Sequence, residues 1–477
     1  MALPTILVNA TGGSDTQASG AGPATALFGT TDASTDGTGL IVTVTAGTDL
    51  SGVAIDGSHV IYLADATAGA RNFGKITNSA GSGGATPTVT VADAFGLTLS
   101  SKSWAIGGKR ASIGAATSKK LFDNNSAAGD AMPGWAVEME SGHTETIAAT
   151  FDARRAGDQT SGPIILRGTS GAATLPVLTF SNNGNGIVPR GLWQIYRDFE
   201  LRNSNVTKTA SAGFSLGATG GGTIIGVKIS NAANKFWKGI IDASPSGTIS
   251  RIIGCDIGNT ANIGIDCTSS GKYTYAWNYI HDCGATAGVN QTSTPPTFAF
   301  YGNVVAGNTG DGLRMTGASA GAQGIVIMHN TFYGNFSDGV EVTQAGGNGQ
   351  VLGLILINNI FLGNGLSGTG YGINFSGATD IGLFGSLVCI LNNNCNANVT
   401  AATNPTLTLS ASGSTTADPQ FIDGTFGSSL NLGIGTNLIA TGYPTDVLLG
   451  CLTRSYVDPG AAQRSEGALV GFLLVAP

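Results

Sequence analysis

Two Asp-Gly pairs in the middle of the chain could bring ionisable side chains together. They begin at Asp311 and Asp338, 27 residues apart, and each opens a segment of the pattern Asp-Gly-apolar-charged-apolar. If both segments hold the same place in neighbouring coils of a repeat, Asp311 lies beneath Asp338 and Arg314 lies beneath Glu341. The spacing of adjacent strands then puts the two aspartates about 5 Å apart.

Three interpretations of this group stay open. Carboxyl groups about 5 Å apart are typical of a retaining glycosidase, and their repulsion raises the pKa of one of them. The same oxygen atoms could bind Ca²⁺. Alternatively, Asp-Gly is a common turn dipeptide, and Arg314 with Glu341 is an ordinary cross-strand surface pair. Asp311, Asp338, Arg314 and Glu341 are therefore catalytic candidates only, and we assign no metal and no cofactor. Asn290 and Asp266 precede Arg314 in the same column.

Other residue types that carry chemistry form no pattern. The four histidines, His59, His143, His281 and His329, do not align, and no GxSxG, HExxH or P-loop motif occurs. The six cysteines form no CxxC pair, which predicts reduced, buried thiols rather than zinc ligands or disulfides.

Two sequence elements repeat in phase along the chain. The element x-Gly-apolar-x-apolar begins at Ala212, Lys238, Ile263, Ala287, Asp311, Asp338 and Tyr371, and successive glycines are 24 to 33 residues apart. The element Asn-x-apolar-x-x-Asn begins at Asn303, Asn330 and Asn359, with a variant at Asn278 that ends in cysteine. We predict that these four first asparagines form a ladder at a turn, with side-chain amides bonded from coil to coil.

A third apolar stretch precedes each of these asparagines, for example Ile325/Ile327 and Leu354/Leu356. Each coil therefore holds three short strands with a two-residue period, and no helical period appears. One coil cannot bury its inward side chains alone, but stacking on the next coil at about 4.8 Å buries them. The sequence predicts an all-β fold, a parallel β-helix solenoid.

The composition of the chain argues against several classes of protein. Of 477 residues, 74 are glycine and 11% are charged, with a net charge of −7. Lys and Arg form no dense run, so we expect no nucleic-acid partner. No stretch of 18 apolar residues occurs, so we expect no membrane insertion. The first residues have no basic segment followed by an apolar one, so we expect no secretory signal.

These repeats resemble the pectate-lyase-like superfamily of right-handed parallel β-helix proteins. The resemblance covers residues from about 135 to 425, beginning at Trp135-Ala136-Val137-Glu138-Met139. Asp418-Pro419-Gln420-Phe421 and the later Leu430-Asn431-Leu432 and Ala461-Ala462-Gln463 resemble the final turns of such chains. Polysaccharide lyases of this superfamily show a dense cluster of acidic calcium ligands, and the lack of one here counts against a lyase.

The ends of the chain differ from the repeats. Residues 1–110 are rich in Gly, Ala, Thr and Ser, and their strand-like runs predict a small amino-terminal β domain. Residues 111–134 are predicted to be a connector that covers the open end of the solenoid, because an uncovered coil exposes sheet edges. The β-helix is assigned to 135–425 and a carboxy-terminal β cap to 426–477.

The stretch Trp104 to Arg110, followed by Pro133-Gly134-Trp135, resembles virion proteins of tailed bacteriophages. That resemblance implies a β-helical spike or a capsid or tail decoration protein, usually a homotrimer. Its amino-terminal part would attach to other virion proteins, and its surface could bind host polysaccharide. We therefore expect a structural virion protein. The alternative is a polysaccharide depolymerase tailspike, a hydrolase or lyase; a bacterial adhesin is disfavoured because a secretory signal is missing.

Overall fold

We describe the chain from a computed structural model. The structure describes residues 4–15, 17–64, 73–92, 94–113, 134–153, 156–157, 162–205, 211–217, 221–230, 234–293, 297–316, 324–343, 354–376, 388–391, 393–404 and 414–416. Every secondary-structure element assigned within these residues is a β-strand. None of these residues belongs to a helix that could cross a membrane. The chain divides into two compact units, Met1–Ala261 and Asn262–Pro477.

The first unit contains 21 described strands. They are β1 (Thr5–Val8), β2 (Leu27–Thr35), β3 (Ile41–Thr43), β4 (Val60–Leu63), β5 (Phe73–Ala80), β6 (Thr88–Val91), β7 (Lys102–Ile106), β8 (Ala136–Met139), β9 (Thr144–Ile147), β10 (Phe151–Ala153), β11 (Ile164–Gly168), β12 (Val177–Phe180), β13 (Ile187–Pro189), β14 (Gln194–Arg197), β15 (Glu200–Asn203), β16 (Ala212–Leu216), β17 (Thr223–Ile225), β18 (Lys228–Ile229), β19 (Lys238–Asp242), β20 (Ile249–Ile253) and β21 (Asp256–Gly258).

The second unit contains 16 described strands. They are β22 (Ile263–Cys267), β23 (Lys272–Ala276), β24 (Tyr279–His281), β25 (Ala287–Gln291), β26 (Thr297–Tyr301), β27 (Val304–Ala306), β28 (Asp311–Thr316), β29 (Ile325–Met328), β30 (Thr331–Tyr333), β31 (Val340–Thr343), β32 (Leu354–Ile357), β33 (Ile360–Leu362), β34 (Tyr371–Ser376), β35 (Val388–Leu391), β36 (Asn394–Asn396) and β37 (Ala401–Asn404).

From β8 onward, three consecutive strands make one coil of a solenoid. In the first unit, the first strands of the coils stack in the order β8-β11-β14-β17-β20, the second strands as β9-β12-β15-β18-β21, and the third strands as β10-β13-β16-β19. The strands within each stack are parallel, and Val137, Leu166 and Tyr196 occupy one inward column. Successive side chains of a strand point to opposite faces, and these three point into the solenoid, where all three are buried.

The second unit repeats this arrangement. Its first strands stack as β23-β26-β29-β32-β35, its second strands as β24-β27-β30-β33-β36, and its third strands as β22-β25-β28-β31-β34-β37. Inside the solenoid, the rings of Phe300, Phe332 and Phe361 stack with centroids 6.1 and 5.1 Å apart. The predicted all-β parallel solenoid is confirmed.

The predicted asparagine ladder is present between the first and second strands of the coils in the second unit. The Nδ2 atom of Asn303 donates to Oδ1 of Asn330 (3.0 Å), and Nδ2 of Asn330 donates to Oδ1 of Asn359 (3.0 Å). The same Oδ1 atoms also accept the backbone N–H of the asparagine one coil before, and Asn278 begins the series. Beyond the predicted members, the ladder continues to Asn393.

A second ladder, which we did not predict as one, lies between the second and third strands. Its members are Asn308, Asn335, Asn364 and Asn398, and each amide donates to the next at 2.8 Å. The variant that ends in Cys283 fits its start, because the backbone N–H of Cys283 donates to Asn308 Oδ1. Two buried columns of amides therefore tie these coils together.

The amino-terminal part contains a closed barrel. Its six antiparallel strands follow the order β2-β3-β6-β5-β4-β7 around a core that includes Val42, Ile61 and Trp104. The predicted small amino-terminal β domain is thus present. Strand β1, which lies within the predicted 1–110 domain, instead pairs in parallel with β8 of the first coil. In the sequence, the six barrel strands are therefore inserted between β1 and β8, which are neighbours in the solenoid.

Two predicted regions lie largely outside the described residues. They are most of the connector at 111–134 and the whole carboxy-terminal cap at 426–477. Of the described cysteines, Cys255, Cys267, Cys283 and Cys395 are buried thiols, as predicted. Burial raises the pKa of the Cys255 and Cys395 thiols to about 12, so both are protonated and unreactive.

Candidate functional site

The candidate carboxylates lie on the third strands of two neighbouring coils, as predicted. Asp311 begins β28, and Arg314 lies within it; Asp338 precedes β31, and Glu341 lies within that strand. The register pairs Arg314 with Glu341. The structure therefore brings together all four predicted residues on the second unit.

Glycine explains why each aspartate can sit at the bend. A Cβ atom on Gly312 would stand 2.5 Å from the carbonyl oxygen of Gly339, and one on Gly339 would stand 2.6 Å from that of Gly372. Such distances are shorter than real Cβ contacts, so only glycine allows the backbones of consecutive coils to approach here. The residue before each glycine is thereby placed at the start of a third strand.

The two aspartates bind the backbone of the following coil. Asp311 Oδ1 accepts the N–H of Asp338 at 3.0 Å, and Asp338 Oδ1 accepts the N–H of Tyr371 at 2.6 Å. The second oxygen of Asp338 accepts a hydrogen bond from Asn374 Nδ2 at 2.7 Å. Both oxygens of Asp338 are therefore occupied, and this carboxylate acts as a link between coils.

An outward-facing polar column accompanies the aspartates. Its register is Asp266, Asn290, Arg314, Glu341, Asn374 and Asn404. Three neighbouring pairs of this column are in contact: Asn290 Nδ2 donates to Asp266 Oδ1 and Asn404 Nδ2 donates to Asn374 Oδ1, both at 2.9 Å, and Arg314 lies beside Glu341. Unlike the ladder amides, which donate to the following coil, these two amides donate to the preceding one.

Arg314 stands between two carboxyl groups. Its Nε atom is 3.0 Å from Glu341 Oε2 and 3.9 Å from Asp311 Oδ2. By distance the first contact is an ion pair, yet among the described residues Nε makes no well-aligned hydrogen bond. Glu341 is held from its other side, because Ser376 Oγ donates to Oε1 at 2.9 Å.

Electrostatics separate Asp311 from an ordinary surface carboxylate. Burial, with a smaller contribution from the Glu341 carboxylate, raises the pKa of Asp311 to about 7, against the lowering effect of the Asp338 N–H. Burial also raises the pKa of Asp338, while hydrogen bonds from Asn374 and Tyr371 lower it. The neighbouring carboxylate that raises the pKa of Asp311 is therefore Glu341, whereas the sequence analysis expected Asp338.

This arrangement can do limited chemistry. A carboxyl group with a pKa near 7, such as that of Asp311, could donate a proton at neutral pH. Among the described residues, no group of three or more His, Cys, Asp or Glu side chains is placed to hold a metal ion. Asn374 was not among the predicted site residues, because the column was followed only from Asp266 to Glu341, although the segment from Tyr371 to Phe375 was recognised as a copy of the repeat.

The histidines do not join this group. His143 is fully buried near the first coil, where Nδ1 accepts the N–H of Ala10 at 3.0 Å. His59 Nδ1 accepts the N–H of Ala54, and burial lowers the pKa of that imidazole. His281 is the last residue of β24, and His329 lies in the bend between β29 and β30.

Comparisons with known proteins bear on the fold. Residues 162–323 and 213–388 match the family model described as right handed beta helix region. A comparison with curated proteins finds no match.

Similar solved structures include three enzymes named for polysaccharides. The pectate lyase Pel9A is 16% identical, with 70% of this chain and 89% of that chain covered and a TM-score of 0.46. The A-module of the Azotobacter vinelandii mannuronan C-5 epimerase AlgE4 is 18% identical, with 56% and 70% covered and a TM-score of 0.38. The catalytic domain of a GH87 alpha-1,3-glucanase is 11% identical, with 82% and 92% covered and a TM-score of 0.30.

The raised pKa of Asp311 predicts a specific pH dependence of stability. The unfolded chain releases this proton near pH 3.8, whereas the folded chain holds it until about pH 7. Ionisation therefore favours the unfolded state, and the contribution of Asp311 to stability falls as the pH rises from about 4 to about 7.

Replacing Asp311 by Asn should remove this contribution while an amide oxygen still accepts the Asp338 N–H. Urea unfolding midpoints at pH 4 to 8 should show the variant gaining on the parent chain as the pH rises. Asp266→Asn, at the place of Arg314 two coils earlier in the polar column, is the matched control. Parallel pH profiles for the parent and Asp311→Asn would contradict the assignment.

The register of the strands and the family match agree on the architecture: the described solenoid is a right-handed parallel β-helix that carries a small antiparallel β-barrel near its amino-terminal end.

Proposed function

We propose that this protein is a structural virion protein of a tailed bacteriophage, a β-helical spike or a decoration of capsid or tail. The observation that carries the proposal is the use of the candidate carboxylates. Asp338 gives both oxygens to the next coil, Asp311 gives one, and Glu341 is bound by Arg314 and Ser376. Carboxylates that accept hydrogen bonds from the next coil stabilise a scaffold, and the oxygens that accept them are not available to a substrate.

The amino-terminal barrel supports an attachment role. Arg110, which follows β7, is fully buried, and its guanidinium lies 4.8 Å from the ring centre of Tyr62 and 5.6 Å from that of Phe73. Phe73 also packs edge-on against Trp135, just before the first coil. The barrel is therefore anchored to the start of the solenoid by a buried cation and aromatic rings. A fixed module at one end suits a protein held on a particle.

The remaining parts of this proposal follow from the virion role. Its partners are two further copies in a homotrimer, other capsid or tail proteins, and host surface polysaccharide. The site of action is the virion. Neither nucleic acid nor membrane insertion is part of the proposed role.

Removing the barrel should separate attachment from folding. Leu27 and Ile106 are directly paired at the two ends of the barrel, so residues 27–106 can be replaced by a short Gly-Ser linker that keeps β1 beside β8. We expect the shortened chain to remain a folded β-helix, with a lower melting temperature because Trp135 and Arg110 lose their ring partners. Its copy number in purified phage particles, measured by quantitative mass spectrometry, should fall at least about tenfold.

The same particles supply the control. The full-length chain should be present at a fixed copy number per particle. Incorporation of the barrel-less chain at the full-length level would contradict the attachment role, and absence of the full-length chain from particles would contradict the virion role itself.

A second candidate function is hydrolysis of a host polysaccharide by the same surface. The raised pKa of Asp311 is the observation that favours it, since an acid catalyst needs a carboxyl group that still carries its proton near neutral pH. In that case Asp311→Asn and Asp338→Asn should each lower turnover about 10²–10⁴-fold, the usual contribution of a positioned acid or base.

The assay is the release of reducing ends from host surface polysaccharide. On the structural proposal, the parent chain, Asp311→Asn, Asp338→Asn and the control Asp266→Asn all release none. Robust release by the parent and by Asp266→Asn, abolished in the other two, would replace the structural proposal by the enzymatic one.

A further inference from the structure

A tryptophan occupies a bend that needs no bulky side chain. In successive coils of the second unit, the residue before each member of the first ladder is Trp277, Gly302, His329 and Asn358, all with φ between 53° and 66°. A large side chain in this left-handed conformation costs conformational energy, whereas glycine does not. Because Gly302 makes the same bend one coil later, the presence of tryptophan at 277 has a reason other than the backbone.

The next coil holds the Trp277 ring in place at the surface. The side chain is 42% exposed, and its ring meets that of Tyr301 edge-on, with centroids 5.1 Å apart. A Cβ atom on Gly302 would lie 2.6 Å from Trp277 Cδ1, so the missing side chain makes room for the ring. The ring is thus both exposed and positioned.

A second pair of rings lies two residues further along the same coil. Tyr279 and His281 face outward on β24 and stack with centroids 4.1 Å apart and planes 15° apart. The Nδ1 atom of His281 is 2.7 Å from Oδ2 of Asp282, whose side chain is 53% exposed. Two pairs of aromatic rings and one exposed carboxyl group therefore belong to the segment 277–282 and the Tyr301 that packs on it.

We propose that Trp277, Tyr301, Tyr279, His281 and Asp282 form a binding site for a pyranose unit of a neutral polysaccharide. A sugar ring offers apolar C–H faces that pack on aromatic rings and hydroxyl groups that bond to a carboxylate or imidazole. This combination suits a sugar better than a purely apolar partner. The inference rests on the proposed contact of the solenoid with host polysaccharide and names the surface and the sugar class.

Size and charge favour this ligand over others. Four rings from two coils offer far less area than the roughly 800 Å² per partner that a stable protein interface buries. The acidic residue within this set is Asp282, and an acidic side chain disfavours an acidic polysaccharide such as one built from uronates.

Affinity electrophoresis of the full-length chain tests the site. Native gels contain dextran, yeast mannan, laminarin or arabinogalactan as neutral probes, and polygalacturonate as an acidic one. We expect at least one neutral polysaccharide to retard the parent chain and polygalacturonate not to do so. Trp277→Gly, which suits the bend, should weaken the apparent affinity at least about tenfold, and Trp277→Tyr should restore part of it.

Trp193→Gly is the matched control. Trp193 also has a left-handed backbone (φ 58°) and is 50% exposed, but in the described part of the chain no ring packs against it. This variant should bind like the parent. Sedimentation velocity of the same proteins should show an unchanged oligomeric state.

Three results would overturn the inference: no retardation by any neutral probe, equal loss in Trp193→Gly and Trp277→Gly, or a change of oligomeric state in Trp277→Gly, which would make the rings a subunit contact. The assay needs no phage particle, so its failure would leave the incorporation experiment on the barrel untouched, and the reverse also holds.

Discussion

The structure depends on one constraint, which is that every coil must satisfy its buried turns through the coil beside it. Parallel strands stack at backbone distance, so residues at the same place in successive coils lie above one another. At the two bends of each coil in the second unit, buried N–H groups would lack partners, and an unpaired buried group costs about 1–3 kcal/mol. Asn303 and Asn308 show the solution, because an amide oxygen one coil on accepts both the backbone N–H and the side-chain Nδ2.

The same constraint explains the outer surface. At the bend between second and third strands, Asp311 and Asp338 follow the ladder residues Asn308 and Asn335 by three positions, and they also accept backbone N–H groups of the following coil. To accept these N–H groups the aspartates must be largely buried, and burial raises their pKa. A raised carboxyl pKa, which is often found in active sites, can therefore result here from a structural role. The structural proposal and its enzymatic rival therefore differ in the use of Asp311 rather than in geometry.

Much of this was predictable because stacking turns sequence period into position. The repeated Gly and Asn elements predicted the solenoid, the first ladder and the pairing of Arg314 with Glu341. The extension to Asn393 and Asn398 was missed, although Asn393-Asn394-Cys395-Asn396-Ala397-Asn398 fits the element, because the preceding step is longer and cysteine stands for the apolar residue. The pairing of β1 with β8 could not be predicted, since the two strands are separated by the whole barrel and share no repeat. The effect of Glu341 on the pKa of Asp311 depends on the direction in which each side chain points, which the strand register does not give.

Unfolding of Asn330→Leu tests the ladder most directly. The substitution keeps the number and branching of the side-chain heavy atoms, but it removes the acceptor of two donors of Asn303 and the donor to the Phe300 carbonyl. At about 1–3 kcal/mol for each unsatisfied group, the account predicts a loss of at least about 3 kcal/mol in the free energy of unfolding, measured in urea. Asn396→Leu is the control, because its amide makes an exposed hydrogen bond outside both ladders, and it should cost less than about 1 kcal/mol. Equal unfolding midpoints for the parent and Asn330→Leu would contradict the claim that buried amides hold the coils together.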